Sequence, residues 1–240
     1  MTRTAATLTA LTLALAAGCS SPERDRPGPS APRLAVSLTS PADAALTWRG
    51  AEPKPSGQAV EFATGSGGDY TLLEFVEPER TSYQHPDLMP ETRFHYRVRP
   101  FYGPASEPIE VTLPPGEFSA KDQADDHQWA PPMKRPGGVG EARPVRTFGA
   151  APTDLSATVM HANGIRFTWT DHARDELGFL LEVKPATARA YRVAALLDPD
   201  ITSFGLVTLP GEKNASYRIR AYYYGSSSNV VHVTTGKDQP

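Results

Sequence analysis

The chain has 240 residues, of which 39% are hydrophobic and 21% are charged, and its formal net charge is −3. These values fit a globular chain of one large or two small domains, and the near-neutral charge argues against nucleic-acid binding. The single cysteine excludes an intramolecular disulfide, so any folded core is stabilised by packing alone.

The first 18 residues have the pattern of an export signal. A short basic start at residues 1–3 is followed by an apolar stretch, rich in Ala and Leu, that ends at Ala17. This stretch is shorter than the about 20 apolar residues that a membrane-spanning helix needs. The pattern therefore predicts a secretory signal peptide over residues 1–18.

Cys19 directly follows this predicted signal. Residues 15–19, Leu-Ala-Ala-Gly-Cys, resemble the lipobox of bacterial lipoproteins, although Ala16 stands where Leu is usual. In that family the signal is cut before the cysteine, which then carries fatty acids such as palmitate. The resemblance implies an extracytoplasmic protein anchored to a bacterial membrane or cell surface through lipidated Cys19. The alternative is an ordinary cleaved signal with an unmodified cysteine.

Residues 19–33 form the predicted tether. After Cys19 they include four prolines and no large apolar side chain. A segment with nothing to bury favours an extended, disordered chain. At about 3.1 Å per residue, it would reach roughly 40 Å from the lipid surface.

The rest of the chain contains one unit twice. Residues 34–102 match the residues 121 positions later without a gap, and most matched positions are apolar. Examples are Leu46 with Phe167, Trp48 with Trp169, and Tyr96 with Tyr217. Matched apolar positions indicate the same core built twice. We therefore predict domains at residues 34–113 and 152–236, with a tail at 237–240.

Both units consist of short segments in which apolar and polar residues alternate. In the first unit these segments lie at 34–39, 44–48, 59–63, 70–76, 81–84, 92–102 and 107–113. No helical period is evident, and Pro, Gly, Asp and Ser separate the segments. The pattern predicts an all-β chain of two tandem antiparallel β-sandwiches, with residues 107–113 closing the first.

Residues 114–151 lie between the two units and are rich in Pro, Gly and charged residues. A stretch of this length and composition predicts a linker between domains. Three aromatic residues, Phe118, Trp129 and Phe148, are unusual in a free coil. We expect Trp129 either to dock in a groove between the sandwiches or to serve as a short recognition segment.

The two units resemble fibronectin type III domains. Trp48 and Trp169 stand where that family has its core tryptophan in the second strand. Residues 169–179 are also similar to the W-x-D…D-E-x-G-F stretch of bacterial members. The resemblance implies immunoglobulin-like sandwiches, and acidic residues in this stretch that hold its loop.

Two acidic clusters raise the question of a metal or acid–base site. One lies in the linker and the other follows the second tryptophan; their members are Asp122, Asp125, Asp126 and His127, and Asp171, His172, Asp175 and Glu176. Neither the six histidines nor Cys19 has a metal-binding spacing. We therefore predict no metal site, no catalytic residue and no cofactor. A small metal-dependent enzyme or enzyme accessory factor is the alternative.

A partner-binding face is predicted on the second unit. If Tyr217 and Ile219 face the core, the alternating residues of their sheet face outward. This face, together with Trp129, comprises Leu180, Arg218, Arg220, Tyr222 and Tyr224. Tyrosine and arginine are enriched where proteins bind partners. The alternative is that arginine side chains simply cover tyrosine rings.

These observations together predict a function without catalysis. We expect a cell-envelope lipoprotein that presents or spaces a binding surface for a protein or a polysaccharide. Its expected partners are the membrane, through Cys19, and such an envelope component; nucleic acid is not expected. A pure structural spacer without a ligand is the remaining alternative.

Overall fold

The structure, a computed structural model, describes residues 30–65, 67–116, 119–120, 122 and 127–237. The predicted signal peptide, Cys19 and most of the predicted tether lie outside the described residues. The same holds for Phe118, Asp125 and Asp126 of the predicted linker. In the part of the chain that is described, no helix has the length and apolar character needed to cross a membrane.

The first unit folds as two facing antiparallel sheets. One sheet has the order β1-β2-β5, and the other places β3 between β4 and β6. The strands are β1 (Arg33–Ser40), β2 (Asp43–Arg49), β3 (Gly57–Ala63), β4 (Thr71–Val76), β5 (Ser82–His85), β6 (Arg93–Tyr102) and β7 (Ile109–Thr112). The predicted all-β fold is confirmed, since almost every described element is a strand.

The second unit repeats this arrangement. One sheet places β10 between β9 and β13, and the other places β11 between β12 and β14. The strands are β8 (Val139–Arg143), β9 (Thr153–His161), β10 (Gly164–Ala173), β11 (Gly178–Pro185), β12 (Arg192–Leu197), β13 (Ser203–Val207), β14 (Asn214–Tyr224) and β15 (Val231–Thr234). Short 3-10 turns lie at Phe148–Ala150 and Pro210–Glu212.

Each unit has its own hydrophobic core. The repeat-matched pairs Leu46 and Phe167, Trp48 and Trp169, and Tyr96 and Tyr217 are all buried. They belong to two separate clusters, one in each unit. The prediction that one core is built twice is therefore confirmed.

The last strands of the two units, β7 and β15, are exchanged. Strand β7 pairs with β14 of the second unit, and β15 pairs with β6 of the first. The prediction that residues 107–113 close the first sandwich is therefore wrong. We call β1–β6 with β15 module 1 (residues 30–102 and 231–235), and β7–β14 module 2 (residues 107–113 and 127–224).

Two equivalent serines hold the crossing segments. The Ser106 N–H donates to the carbonyl of Ile219 at 2.8 Å, and its Oγ accepts from the Ile219 N–H at 3.1 Å. Ser228 makes the same pair of bonds with Val98, both at 2.9 Å. Ile219 and Val98 are repeat equivalents, so the exchange follows the internal symmetry of the chain.

Much of the predicted linker belongs to module 2. Strand β8 pairs in parallel with the end of β10, and the isolated bridge between Met133 and Ser203 adds to the same edge. Val145 and Ala150 are almost fully buried in the module 2 core. The linker prediction for residues 114–151 is therefore wrong from residue 127 onward, because these apolar side chains complete a core.

Candidate functional site

The predicted partner-binding face lies at the junction of the two modules. Leu180, Arg220 and Tyr222 are only 0%, 7% and 5% exposed. Leu180 and Tyr222 form an apolar cluster with Phe101 of module 1. These three predicted side chains therefore do not face solvent. Period-two alternation shows which side of a sheet a residue occupies, but not what covers that side.

Strand β11 shows the same covering along its length. All of its residues from Gly178 to Val183 are buried, on both faces of the strand. One face packs into the module 2 core, and Leu180 on the other contacts module 1. Strands β6 and β14 also meet end to end, with Tyr102 opposite Tyr223. The two modules therefore share one continuous sheet.

Arg220 connects the modules through hydrogen bonds. Its Nε and Nη2 donate to Glu182 at 3.0 and 3.1 Å. Its Nη1 donates to Ser56 Oγ at 3.0 Å and to the Gly103 carbonyl at 2.6 Å. Gly103 has φ +131°, and a Cβ there would lie 2.0 Å from the Ala221 carbonyl oxygen. Only glycine fits at this crossing point.

A buried carboxylate with two arginines occurs once in each module. In module 1, Glu61 accepts from Arg97 and Arg99, each at 2.6 Å. In module 2, Glu182 accepts from Arg218 and from Arg220. The carboxylate groups are almost fully buried, and a buried charge has to be paired. The arginines therefore have a structural role on this face.

Tyrosine rings lie under some of these arginines. The guanidinium of Arg97 lies 3.9 Å from the centroid of Tyr70, and that of Arg218 lies 4.0 Å from Tyr191. Arg99 of module 1 lies 3.7 Å from the ring of Tyr224, which burial gives a raised pKa. The alternative in which arginines cover tyrosine rings is therefore what the structure shows at these positions.

Trp129 docks on module 2. Its side chain is 9% exposed and lies over Gly205 of β13, where a Cβ would be 2.6 Å from the ring. The His161 ring meets it at 5.5 Å between centroids, and the Ala130 carbonyl accepts from the Gly205 N–H at 2.9 Å. The predicted docking is correct, but the groove lies on one module and not between the two.

A small cleft opens where the modules meet. Its volume is about 220 Å³, and its lining includes Phe75, Phe101, Tyr191, Arg192 and Arg218. Ligand pockets usually have about 300–1,000 Å³. This cleft is therefore smaller than an ordinary small-molecule site, but a second depression at the junction, lined by residues 72–75 and 192–196, has about 380 Å³.

The predicted cluster at the end of β10 and in the turn after it does not form one group. Asp175 Oδ1 accepts from the Val145 N–H at 2.6 Å and so holds residues 144–146. His172 Nε2 lies 2.9 Å from Thr153 Oγ1. In contrast, Asp171 and Glu176 are buried and lie beside Asp200, with one oxygen from each within 4.8 Å of the others. Asp200 was missed because it belongs to a different turn.

The linker cluster is different. Asp122 Oδ2 accepts from the N–H and the hydroxyl of Ser119 at 2.8 and 2.7 Å. This is a local turn at an exposed position. The ring of His127 lies against Trp129 at 5.9 Å and against His161 at 6.1 Å between centroids.

The solved structures that resemble this chain match only about one module of it. Neither a protein-family model nor a curated protein matches the chain. A fibronectin type III domain of human collagen XX is 25% identical, over 31% of this chain and 76% of that chain, with a TM-score of 0.28. A Fn3-like protein from Clostridium thermocellum is 31% identical, over 30% and 76%, with a TM-score of 0.28. The fold assignment rests on the strand pairing described above: it is an all-β, antiparallel sandwich architecture.

Proposed function

We propose that the protein is a non-catalytic, lipid-anchored spacer of the bacterial cell envelope. In this proposal two fused sandwiches form one rigid unit on a Pro-rich tether. The observation that carries it is the exchange of β7 and β15 between the modules. Because residues 103–106 and 225–230 both cross the junction and β6 pairs with β14 there, the modules cannot bend apart without breaking that pairing.

The junction contacts support rigidity as well. Domains joined within a chain usually move relative to each other unless their interface is large and hydrophobic. Here a buried apolar cluster, a shared sheet and the bonds of Arg220 all span the junction. The face that we predicted as a binding surface is used to fix the angle between the modules.

The covering of the predicted face favours spacing over ligand binding. Of the predicted face, Arg218 keeps a side-chain exposure of 27%, while Leu180, Arg220 and Tyr222 are buried. The proposal therefore assigns no ligand to this face. The chain holds an envelope protein or polysaccharide at a defined distance from the membrane.

The anchor is tested by cell fractionation of the full-length chain. We expect the wild-type protein in the membrane fraction, because two or more acyl chains anchor a protein stably. Cys19→Ala should release it, whereas the neighbouring change Ser20→Ala should not. Membrane association that persists in Cys19→Ala would contradict the anchor.

The spacer role is tested by measuring a distance across the junction. Spin labels at Met89→Cys in module 1 and Leu209→Cys in module 2, both exposed positions, are placed in the Cys19→Ala chain. The expected distance distribution is as narrow as that of a pair within module 1, Leu38→Cys with Met89→Cys. A distribution much broader than the control would show hinged modules and exclude a rigid spacer.

A further inference from the structure

Three carboxylates from separate segments converge at one end of module 2. Asp171 lies near the end of β10, Glu176 in the β10–β11 turn and Asp200 in the β12–β13 turn. One oxygen from each lies within 4.8 Å of the other two. Three like charges at this spacing repel one another unless something positive lies between them.

Two of these carboxylates are buried with oxygens that lack a partner. Asp171 is 0% exposed and Glu176 is 8% exposed. Asp171 Oδ1 accepts from the Ala173 N–H at 2.8 Å, and Glu176 Oε1 accepts from the Asp200 N–H at 3.4 Å. Asp171 Oδ2 and Glu176 Oε2 accept no hydrogen bond from the described residues. Buried polar atoms normally have partners, so these two oxygens point to a missing one.

No ion pair of the described residues supplies that partner. Lys134 Nζ lies 3.4 Å from Asp200 Oδ2, but both side chains are more than half exposed. This pair is on the solvent side and leaves the buried oxygens unneutralised.

We propose that Asp171, Glu176 and Asp200 form a Ca²⁺-binding site. The three ligands are all carboxylate oxygens, which hard cations prefer, whereas Zn²⁺ prefers nitrogen and sulfur. Oxygens bound to one Ca²⁺ can lie up to about 4.8 Å apart, so the spacing of these three oxygens fits a single ion. Ca²⁺ also accepts irregular ligand sets completed by water, as three turn residues would require.

The site is specific to module 2. The repeat equivalents of Asp171, Glu176 and Asp200 in module 1 are Gly50, Pro55 and Glu79. Glu79 there pairs with Lys54 at 2.6 Å. At the equivalent end of module 1, a lysine–glutamate pair therefore takes the place of the three carboxylates. In module 2 a bound metal ion would connect three segments.

The test is thermal unfolding and calorimetric titration of the full-length, EDTA-treated protein at neutral pH. Because a ligand that binds only the folded state stabilises it, Ca²⁺ should raise Tm by several degrees. Titration should give one Ca²⁺ per chain, and Mg²⁺ at the same concentration should raise Tm less. Asp171→Asn and Glu176→Gln should lose the Ca²⁺ response. The matched control Glu79→Gln should keep it.

Asp200→Asn keeps the test valid if the substitutions at the buried Asp171 and Glu176 prevent folding. Its side chain is exposed and its backbone has φ +62°, a conformation that Asn tolerates. It should fold and bind Ca²⁺ at least tenfold more weakly. The proposal is overturned by the absence of a Ca²⁺ response in the wild type or by a full response in Asp200→Asn. An equal response to Mg²⁺ would overturn the assignment to calcium.

Discussion

Module 1 and module 2 are copies of one sequence unit, yet they differ at their edges. Most of the matched apolar residues are buried in both, but Leu88 is buried and its repeat equivalent Leu209 is exposed. Only module 2 carries an added segment, with β8 and Trp129, and only module 2 buries two carboxylates at its end. The repetition therefore preserves the core, while the features that distinguish the modules lie at positions that the repeat does not match.

The largest expected difference between the modules is the stability lost when an arginine beside the buried glutamate is removed. The Arg220 side chain is 8% exposed and that of Arg99 is 25% exposed. Arg220→Ala should cost about 3–5 kcal/mol, since it leaves Glu182 partly unpaired in a buried site and removes the contacts to module 1. Arg99→Ala should cost about 1–2 kcal/mol. Urea unfolding of both variants measures this, and equal losses would contradict a special role for the module 2 arginine.

Substitution of Trp129 tests whether the added segment stabilises module 2. Trp129→Ala should destabilise the protein by about 2–3 kcal/mol, because a large buried ring leaves a cavity over Gly205. Phe148, in the same segment, is 91% exposed, so Phe148→Ala should change stability by less than about 0.5 kcal/mol. Denaturant unfolding of the two variants compares them. A silent Trp129→Ala would show that the segment does not contribute to module 2.

The buried acidic site gives module 2 a pH dependence of its own, because burial raises the pKa of Asp171. The folded pKa of Asp171, about 6, lies above its unfolded value, so its stabilising contribution is complete below about pH 4 and is lost as the pH rises through 6. Without Ca²⁺ this loss should be about 3 kcal/mol. It should be absent in Asp171→Asn and present in Glu79→Gln. Stability measured across this pH range in EDTA provides the comparison.

The two serines should behave alike, because they occupy equivalent places in the exchange. Ser106→Ala and Ser228→Ala each remove the acceptor of a buried backbone N–H, from Ile219 and Val98. Each should cost about 1 kcal/mol. Thermal unfolding measures both effects. A cost in only one variant would mean that only one crossing segment is held as described.

Much of the fold could be predicted from the sequence. The 121-residue offset identified most of the core positions, because apolar residues recur where both copies bury them. The alternation predicted almost every strand of both modules. The partner of β7 could not be predicted, since its alternation is the same whether it joins β6 or β14.

The candidate sites were harder to predict for a physical reason. Alternation placed Leu180 and Tyr222 on the outer face of their sheet, but module 1 covers that face. Spacing along the chain identified Asp171 and Glu176, but Asp200 comes from a turn 24 residues further on. Contacts between distant segments leave no periodic signal in one sequence.

The exchange of β7 and β15 is tested most directly by disulfide trapping. Val111 lies opposite Ala215 in the exchanged pairing. Without exchange, Val111 would lie opposite the repeat equivalent of Ala215, which is Phe94. Both cysteine pairs are made in the Cys19→Ala chain, and intramolecular disulfide formation is measured by loss of free thiols in the monomer. We expect a disulfide in Val111→Cys with Ala215→Cys and none in Val111→Cys with Phe94→Cys; the reverse result would contradict the exchange.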